Sequence, residues 1–203
     1  MLIDLAVSFS FGYILGSIPF GLVLVYLATG QDIRTIGSGN IGATNVLRSG
    51  HKSLAFLTLI LDALKGAIAF FVVCIWLPPE SATLAGFGAV VGHCFPIWLR
   101  FVGGKGVATG MAVITVVVPF AGLVMVATWL LVAAFTRISS LSALLSFAAA
   151  GLFVSFGSFE SSEMEQITVW GVGLLSWARH KQNINRILNG EESKISLKKK
   201  PLN

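Results

Sequence analysis

The residues with the chemistry to hold an anion are concentrated in three short polar segments of an otherwise apolar chain. The first segment, residues 32–48, reads DIRTIGSGNIGATNVLR. Glycines permit tight turns that expose backbone N–H groups, and the guanidinium fork of Arg48 suits an oxyanion. Further possible donors are Ser38, Asn40, Thr44 and Asn45, and the turn glycines are Gly37, Gly39 and Gly42. For this segment alone, a phosphate-binding loop and an interfacial turn anchored by one arginine are both open interpretations.

The second segment, GHCFPIWLRFVGGKGVATG, has three glycines around one lysine just before an apolar stretch. Gly103, Gly104 and Gly106 surround Lys105, and Thr109 follows at the start of a predicted helix. Backbone N–H groups at a helix start, next to a lysine, form an anion site by the physics of a P-loop. The spacing GxxxxGK[ST] is absent, because Gly106 follows the lysine, so a nucleotide triphosphatase is not predicted.

The third segment, RHKQNINRILNGEE, follows the last apolar stretch. If it is helical, His180 and Asn183 lie three residues apart on one face, with Arg179 and Arg186 close by. This spacing predicts a set of hydrogen-bond donors, whereas a basic helix that binds anionic lipid head groups is the competing interpretation. Lipid binding is preferred for the lysines of the tail, which are Lys194, Lys198, Lys199 and Lys200.

Several other reaction classes lack the residues that they need. His51, His93 and His180 are isolated, with no carboxylates at ligand spacing, so neither a metal nor another cofactor is predicted. No GxSxG motif supports a covalent serine mechanism. Cys74 and Cys94 lie in apolar stretches, without the short repeated spacing of a zinc site or a disulfide framework.

The composition indicates that a membrane protein carries these segments. Of 203 residues, 55% are hydrophobic and only 11% are charged, and the mean hydropathy is +0.85. A typical soluble domain has about 25% charged residues. Because this chain cannot cover its surface with polar side chains, lipid is the natural solvent for that surface. We therefore read the net charge of +5 as a guide to membrane topology rather than to a nucleic-acid partner.

Six apolar stretches predict an all-α integral membrane protein with a single domain over residues 1–203. Backbone groups in hydrocarbon must hydrogen-bond internally, and the lengths of the stretches suit helices, which favours a helical bundle over a β-barrel. The stretches are residues 2–28, 54–77, 82–99, 107–135, 141–156 and 167–177.

The stretch 107–135 decides the topology, because it is either one long helix or two short helices that meet near Pro119 and Gly122. Two helices give a seven-transmembrane-helix bundle with the N-terminus outside and the C-terminus cytoplasmic. Thirteen of the fourteen lysines and arginines then share one face with the three polar segments, opposite Asp4, Glu80, Glu160, Glu163 and Glu165. An excess of Lys and Arg is typical of the cytoplasmic side, so seven helices are predicted.

One pair of charges lies inside a predicted span. Asp62 and Lys65 are at i, i+3 spacing in the second stretch, where unpaired charges in hydrocarbon are costly. We expect them to pair with each other or to face the bundle interior. Either a structural pair or a support for the polar site fits this spacing.

Taken together, SGNIGATNVLR, GHCFPIWLRFVGGKGVAT and RHKQNINRILNGEE resemble motifs of the bacterial acyl-phosphate-dependent glycerol-3-phosphate acyltransferases, the PlsY family. The similarity extends over nearly the whole chain and includes SIPFG, LDALKG and RISSLSAL. It implies transfer of a fatty acyl group from acyl phosphate to the sn-1 hydroxyl of glycerol 3-phosphate, as the entry step to phospholipids. The products would be 1-acylglycerol 3-phosphate and phosphate. It also implies the bacterial cytoplasmic (inner) membrane, with an active site that faces the cytoplasm.

The resemblance implies roles for individual residues as well. Ser38 and Arg48 match polar residues of the first motif, and the glycines around Lys105 match a segment that binds glycerol phosphate. His180 and Asn183 match the functional pair of the third motif. We expect these five residues to be catalytic. The expected substrate-binding residues are Gly39, Asn40, Thr44, Asn45, Gly103, Gly104, Gly106, Thr109 and Ser142, and the expected structural residues are Asp62, Lys65 and Glu192.

The proton acceptor and the competing functions follow from this assignment. An acyl phosphate already carries a good leaving group, so the resemblance implies that the substrate's own phosphate takes the hydroxyl proton, with His180 as the rival general base. A small membrane carrier for organic phosphates and a lipid-binding scaffold are the competing functions. Carriers commonly show internal repeats and midplane sites, whereas the donors here are predicted at one membrane face.

Overall fold

The computed structural model describes residues 2–157 and 161–195, and its regular elements there are all helices. Glu160 and the tail lysines Lys198, Lys199 and Lys200, for which the sequence predicts a membrane side or a lipid contact, lie outside the described residues. The α-helices are α1 (Leu2–Gly16), α2 (Phe20–Thr29), α3 (Ala43–Arg48), α4 (Lys52–Cys74), α5 (Pro79–Cys94), α6 (Val107–Val117), α7 (Pro119–Thr136), α8 (Ser139–Phe156), α9 (Glu163–Arg179) and α10 (Lys181–Leu188). Short 3-10 helices occupy Ile33–Thr35 and Ile97–Leu99.

The long helices have the length and apolarity that a membrane span needs. Within the described ranges, the segments that qualify are Leu2–Thr29, Lys52–Cys74, Pro79–Leu99, Pro119–Thr136 and Ser139–Phe156. The helix α6 is apolar but has only 11 residues, and α9 has 17. Large apolar side chains such as Leu27, Phe135 and Phe156 are exposed on the outside, as expected where lipid is the solvent. The all-α membrane protein predicted from composition is confirmed.

Small residues bring α1 and α5 into backbone contact. A Cβ atom on Gly12 would overlap the backbone of Ala85, and one on Gly16 would overlap the backbone of Ala89. Lipid tails are as apolar as the side chains, so close van der Waals packing of this kind, rather than the hydrophobic effect, stabilises the helix pair. The helix α5 also packs against α4, α6 and α9, so it lies in the interior of the bundle.

The first apolar stretch is not the single helix that the sequence predicts, because it is interrupted at residues 17–19. Pro19 has no N–H to donate, so it cannot continue the hydrogen-bond ladder of α1. The Ser17 hydroxyl donates to the Tyr13 carbonyl at 2.7 Å, and the ammonium of Lys65 donates to the Ile18 carbonyl at 2.9 Å. The buried lysine therefore satisfies a carbonyl at the interruption.

The long stretch 107–135 is divided, as the sequence predicts. The helix α6 ends at Val117 and α7 begins at Pro119, with Val118 between them in a non-helical conformation (φ −132°, ψ 87°). Proline suits the first turn of a helix, where an N–H would have no partner within the helix. A Cβ on Gly122 would overlap Thr115, so the two helices fold back against each other as a hairpin.

The short helix α6 begins deep in the bundle. It packs against both α4 and α7, and its inner face joins an apolar core that includes Val90, Phe147 and Val172. The hydroxyl of Thr109, in the first turn of α6, donates to the carbonyl of Asp62, near the middle of α4. The glycine loop that precedes α6 must therefore reach into the bundle, and it brings Lys105 with it.

Candidate active site

The three polar segments converge on one cavity of about 320 Å³. Its lining comes from the first segment and the starts of α6, α8 and α10, with contributions from α4, α5 and α7. All five residues expected to be catalytic line it. The polar lining residues are Ser38, Asn40, Thr44, Asn45, Arg48, Asp62, His93, Lys105, Ser139, Ser140, His180, Asn183 and Glu192.

Asn45 organises the first segment from its centre. Its side-chain carbonyl accepts the Ser38 N–H at 2.9 Å, and its side-chain N–H₂ donates to three backbone carbonyls of the same segment at 2.9–3.2 Å. Gly37 has a left-handed φ of 59°, and a Cβ there would overlap the Asn45 carbonyl oxygen, so glycine is needed. Asn45 therefore lines the cavity, but its hydrogen bonds hold the loop that presents Ser38.

The glycine loop before α6 uses its own N–H groups to hold its shape. The N–H groups of Gly103 and Gly104 donate to the carbonyls of Cys94 and His93 at 3.1 and 3.0 Å. A Cβ on Gly104 would overlap the His93 ring, so glycine permits a close approach here. Both amides therefore donate within the protein, and neither glycine is among the residues that line the cavity.

Lys105 is the group of this loop that enters the cavity. Gly106 and, in the first segment, Gly39 have left-handed φ values of 75° and 71° and turn the backbone. Neither is among the residues that line the cavity. Burial disfavours the ammonium form and lowers the pKa of Lys105 to about 8. The neighbouring arginines also lower this pKa, whereas Glu192 raises it. A bound anion would reverse this effect.

His180 lies between α9 and α10 as a neutral ring. Its Nδ1 is 2.7 Å from the Ser176 carbonyl oxygen, and because a carbonyl can only accept, Nδ1 carries the proton and Nε2 keeps a free lone pair. Burial lowers the pKa of His180 to about 4, despite the hydrogen bond to Ser176. At neutral pH the ring therefore has one acceptor nitrogen with which to orient a hydroxyl group.

Glu192 joins the tail to the cavity. Its Oε1 accepts hydrogen bonds from Ser140 at 2.8 Å and Asn183 at 2.7 Å, and its Oε2 accepts one from Arg186 at 2.6 Å. Burial opposes ionisation of Glu192, but these hydrogen bonds favour the carboxylate, and the pKa is lowered. The first residues of the tail are consequently packed against α8 and α10.

The buried residues Asp62 and Lys65 form the ion pair that their spacing allows, and Asp62 also lines the cavity. The two side chains are 2.9 Å apart, and Nδ1 of His93 is 3.6 Å from the same carboxylate oxygen. Lys65 also reaches the helix interruption at Ile18, and the His93 ring lies against Gly104. This chain of contacts connects the first span to the loop of Lys105.

Two hydroxyl groups that were expected to bind substrate bond to the backbone instead. Thr109 donates to the Asp62 carbonyl at 2.7 Å and Ser142 donates to the Ile138 carbonyl at 2.9 Å, and neither side chain lines the cavity. The preceding Ser139 and Ser140 line it in place of Ser142. All three serines lie in the motif RISSLSAL, so the motif alone does not distinguish them. The position of each serine on α8 decides which of them lines the cavity.

The cavity also has an apolar side, most of which lies outside the three polar segments. It is formed by Leu59 of α4, Trp129 and Leu130 of α7, and Val107, Ala108 and Met111 of α6. Leu59 and Leu130 are 45% and 57% exposed, so the cavity opens between α4 and α7 onto the lipid-facing surface. Sequence reasoning missed these residues, because in the apolar stretches they resemble ordinary lipid-facing side chains.

The chain is similar to curated proteins over most of its length. Residues 6–190 match the family described as glycerol-3-phosphate acyltransferase. A glycerol-3-phosphate acyltransferase from Gluconobacter oxydans is 49% identical over 189 residues, which cover 91% of this chain and 90% of that protein. One from Paramagnetospirillum magneticum is also 49% identical, with 93% of this chain and 92% of that protein covered.

Two crystal structures of PlsY (YgiH), an integral membrane glycerol 3-phosphate acyltransferase, have the same fold. The glycerol 3-phosphate form matches with a TM-score of 0.86 and 35% identity, over 95% of this chain and 96% of that one. The lysophosphatidic acid form matches with a TM-score of 0.82 and 33% identity, over the same shares. This chain therefore belongs to the glycerol-3-phosphate acyltransferase family.

Proposed function

We propose that this enzyme transfers a fatty acyl group from acyl phosphate to the sn-1 hydroxyl of glycerol 3-phosphate. The products are lysophosphatidic acid and inorganic phosphate, and the reaction is the first step of phospholipid synthesis. One observation carries the proposal: Lys105, Arg48 and neutral His180 line a single cavity whose other side is apolar and open to lipid. Both substrates are phosphate anions and one has a long hydrocarbon chain, so this cavity fits both.

Lys105 and Arg48 supply the positive charge for the phosphate groups. Neither is within 4.0 Å of a carboxylate oxygen in the described part of the chain, and Nε of Arg48 is buried there without a hydrogen-bond partner. The Nη2 of Arg48 donates to the Ser193 carbonyl at 3.2 Å, so among the described residues the guanidinium has a neutral partner but no carboxylate. A partly buried cation without an anionic partner favours an anionic ligand. The guanidinium can bind two phosphate oxygens at once, whereas the ammonium acts as a point charge.

The apolar side of the cavity supports an acyl substrate. The helices α4 and α7 both pack against α6, so they form the walls of a lateral groove with α6 as its floor, and Leu59, Met111 and Leu130 line this groove. An acyl chain lying in this groove would extend into the bilayer while its phosphate end stays beside Lys105. The acyl donor and the lysophosphatidic acid product both have a phosphate group at one end and a long acyl chain at the other.

The chemistry requires orientation and charge stabilisation. The sn-1 oxygen attacks the acyl carbonyl carbon, an ester C–O bond forms, and the C–O bond to phosphate breaks. With a pKa of about 4, His180 is a weak base, whereas a phosphate monoester has a second pKa of about 6. The departing phosphate is therefore the better proton acceptor, and Nε2 of His180 orients the hydroxyl. Preorganised donors typically contribute about 10²- to 10³-fold each.

The proposal includes seven membrane segments, namely α1 together with α2 and then each helix from α4 to α9. Both α5 and α9 run from a first turn that contains glutamate, Glu80 or Glu163, to an end at the cavity. The cavity end carries Arg48, Lys105 and Arg186, and an excess of such residues is typical of the cytoplasmic side. These charges support a cytoplasm-facing site in the bacterial inner membrane, with the N-terminus outside and the C-terminus inside.

A direct assay tests this function. Purified protein in lipid nanodiscs is given acyl phosphate and glycerol 3-phosphate, and lysophosphatidic acid and phosphate are expected in equal amounts. Lys105→Ala is expected to abolish both products, whereas Lys52→Ala, an exposed residue outside the cavity lining, is the matched control. Product from an acyl thioester but not from acyl phosphate would contradict the proposed donor. Exchange of glycerol 3-phosphate into sealed vesicles without product would indicate a carrier.

A further inference from the structure

One donor in the cavity lacks a partner within the protein. Trp129 of α7 lines the cavity, and its indole Nε1 is buried with no hydrogen-bond partner among residues 2–157 and 161–195. An indole N–H can only donate, and leaving it unpaired in apolar surroundings is unfavourable. The side chains of Leu59, Met111 and Leu130 on the same side of the cavity provide no strong acceptor.

Other tryptophans of the bundle show how an indole N–H is ordinarily satisfied. Nε1 of Trp170 donates to the Ser155 hydroxyl at 3.0 Å, and Nε1 of Trp177 donates to the Leu144 carbonyl at 3.1 Å. Trp129 differs from both, because its N–H has no partner among the described residues and its side chain lines the cavity. The acceptor that suits it is therefore a group that enters the cavity.

The depth of Trp129 narrows the choice of acceptor. It lies seven positions before Thr136, the last residue of α7, which corresponds to about 10 Å along a helix axis. The first turn of α6 also begins deep, beside the middle of α4. The indole therefore lies at the depth in the membrane where the polar lining of the cavity ends and the apolar groove begins.

The acyl donor has one neutral acceptor at that level. The charged groups Lys105 and Arg48 suit its phosphate, and the hydrocarbon chain has no acceptor at all. The acyl carbonyl oxygen lies between these two parts. A neutral donor beside apolar side chains suits this oxygen, whereas the phosphate makes stronger, charge-assisted hydrogen bonds with Lys105 and Arg48.

We propose that the indole N–H of Trp129 donates a hydrogen bond to the carbonyl oxygen of the acyl donor. This inference rests on the acyl transfer proposed above and adds a residue that contacts the reacting group. As the sn-1 oxygen attacks, the carbonyl oxygen gains negative charge and the hydrogen bond strengthens. When phosphate departs with the bonding electron pair, the C=O bond re-forms. Trp129 therefore acts on the transfer step more than on the binding of glycerol 3-phosphate.

The Trp129→Phe variant tests the inference, because it removes the N–H and keeps an aromatic ring. We expect kcat to fall about 10- to 100-fold while KM for glycerol 3-phosphate changes by less than about twofold, since the interaction strengthens in the transition state. Trp170→Phe removes an indole N–H that is bonded outside the cavity, and it is the matched control with wild-type kcat. If the phenylalanine variant does not fold, site-specific benzothienylalanine keeps the bicyclic ring without the N–H.

An infrared measurement separates this hydrogen bond from a structural role. Lysophosphatidic acid with an isotope-labelled ester carbonyl retains the acyl carbonyl of the donor. We expect its C=O stretch at lower wavenumber on the wild-type protein than on the variant that lacks the N–H. An identical stretch on both proteins, or an unchanged kcat, would overturn the inference. If wild-type protein transfers no acyl group from acyl phosphate, the proposed function fails instead.

Discussion

Arg179 donates to the carbonyl of Gly103 at 2.9 Å and ties the last turn of α9 to the loop that carries Lys105. A second hydrogen bond, from its Nε to the Gly104 carbonyl, measures 3.1 Å. The guanidinium also lies 5.1 Å from the centroid of the Phe95 ring. Because a planar guanidinium fits two acceptors at once, the third polar segment fixes the position of the second.

Arg179→Lys is expected to loosen this loop without removing the positive charge. A lysine cannot span both carbonyls, so we expect KM for glycerol 3-phosphate to rise about tenfold, with a smaller loss of kcat. Steady-state kinetics measure both quantities. Arg34→Lys is the control, since Arg34 pairs with Asp32 on the exposed surface. If KM were the same in Arg179→Lys and wild type, Arg179 would not position the loop.

The capture of glycerol 3-phosphate is expected to weaken as the pH rises through about 8, because burial lowers the pKa of Lys105 to about 8. The ammonium is present below this pH and lost above it, whereas a phosphate monoester is already a dianion above about pH 6. The pH profile of kcat/KM reports the free enzyme and measures this loss. Lys105→Arg, which stays charged, is expected to remove the decline. A flat wild-type profile would contradict the assignment.

His180 is expected to affect the rate without titrating near neutral pH. Its pKa is lowered to about 4 by burial, so the kcat profile is expected to show no inflection near the usual histidine value of about 6.5. His180→Ala is expected to lower kcat about 100-fold at saturating substrates. His51→Ala, in the turn before α4, is the control. An undiminished kcat in His180→Ala would exclude both orientation and base catalysis by this residue.

Glu192→Gln is expected to destabilise the protein more than the neighbouring exposed Glu191→Gln. The pKa of Glu192 is lower in the folded protein than in the unfolded chain. Its contribution to stability is therefore fully present above the pKa of the unfolded chain and is lost as the pH falls through the pKa of the folded protein. We expect Tm at neutral pH to fall by about 3–6 °C. Thermal unfolding across pH measures the difference, which is expected to disappear in acid. Equal Tm values for the two variants would show that Glu192 does not stabilise the tail.

The orientation of α4 and α5 predicts which side of the membrane Glu80 occupies. In a Cys74→Ser background, which removes the exposed native thiol, we expect Glu80→Cys to react with an impermeant maleimide in intact spheroplasts. Lys52→Cys, at the other end of α4, is expected to react only after the membrane is permeabilised. The reversed pattern would contradict the proposed orientation, and reaction of both from outside would contradict a crossing by α4.

Hydrophobic length predicts helices well where the chain contacts lipid, and it fails where a distant residue decides the backbone. The stretches 54–77 and 141–156 correspond closely to Lys52–Cys74 and Ser139–Phe156. The interruption at residues 17–19 was not predicted, because the group that satisfies the Ile18 carbonyl is Lys65, on another helix. Pro19 by itself is equally compatible with a kinked helix.

For the candidate site, the type of a residue predicts whether it lines the cavity better than it predicts what its side chain does there. Arg48, Lys105 and His180 line one cavity, as expected from their segments. Thr109 has the chemistry of a substrate ligand, yet its hydroxyl bonds to the backbone of α4. Trp129 reads as a lipid-facing aromatic residue, yet it lines the cavity, because α6 and α7 fold back on each other at Val118.

The opening between Leu59 and Leu130 also determines how the supply of acyl donor is measured. A donor that enters through this opening arrives by lateral diffusion within one leaflet, and its acylated product leaves by the same route. The quantity that sets the rate is then the mole fraction of donor among the lipids rather than its molarity in the suspension. Inert phospholipid added at constant total donor dilutes the substrate in two dimensions and slows turnover.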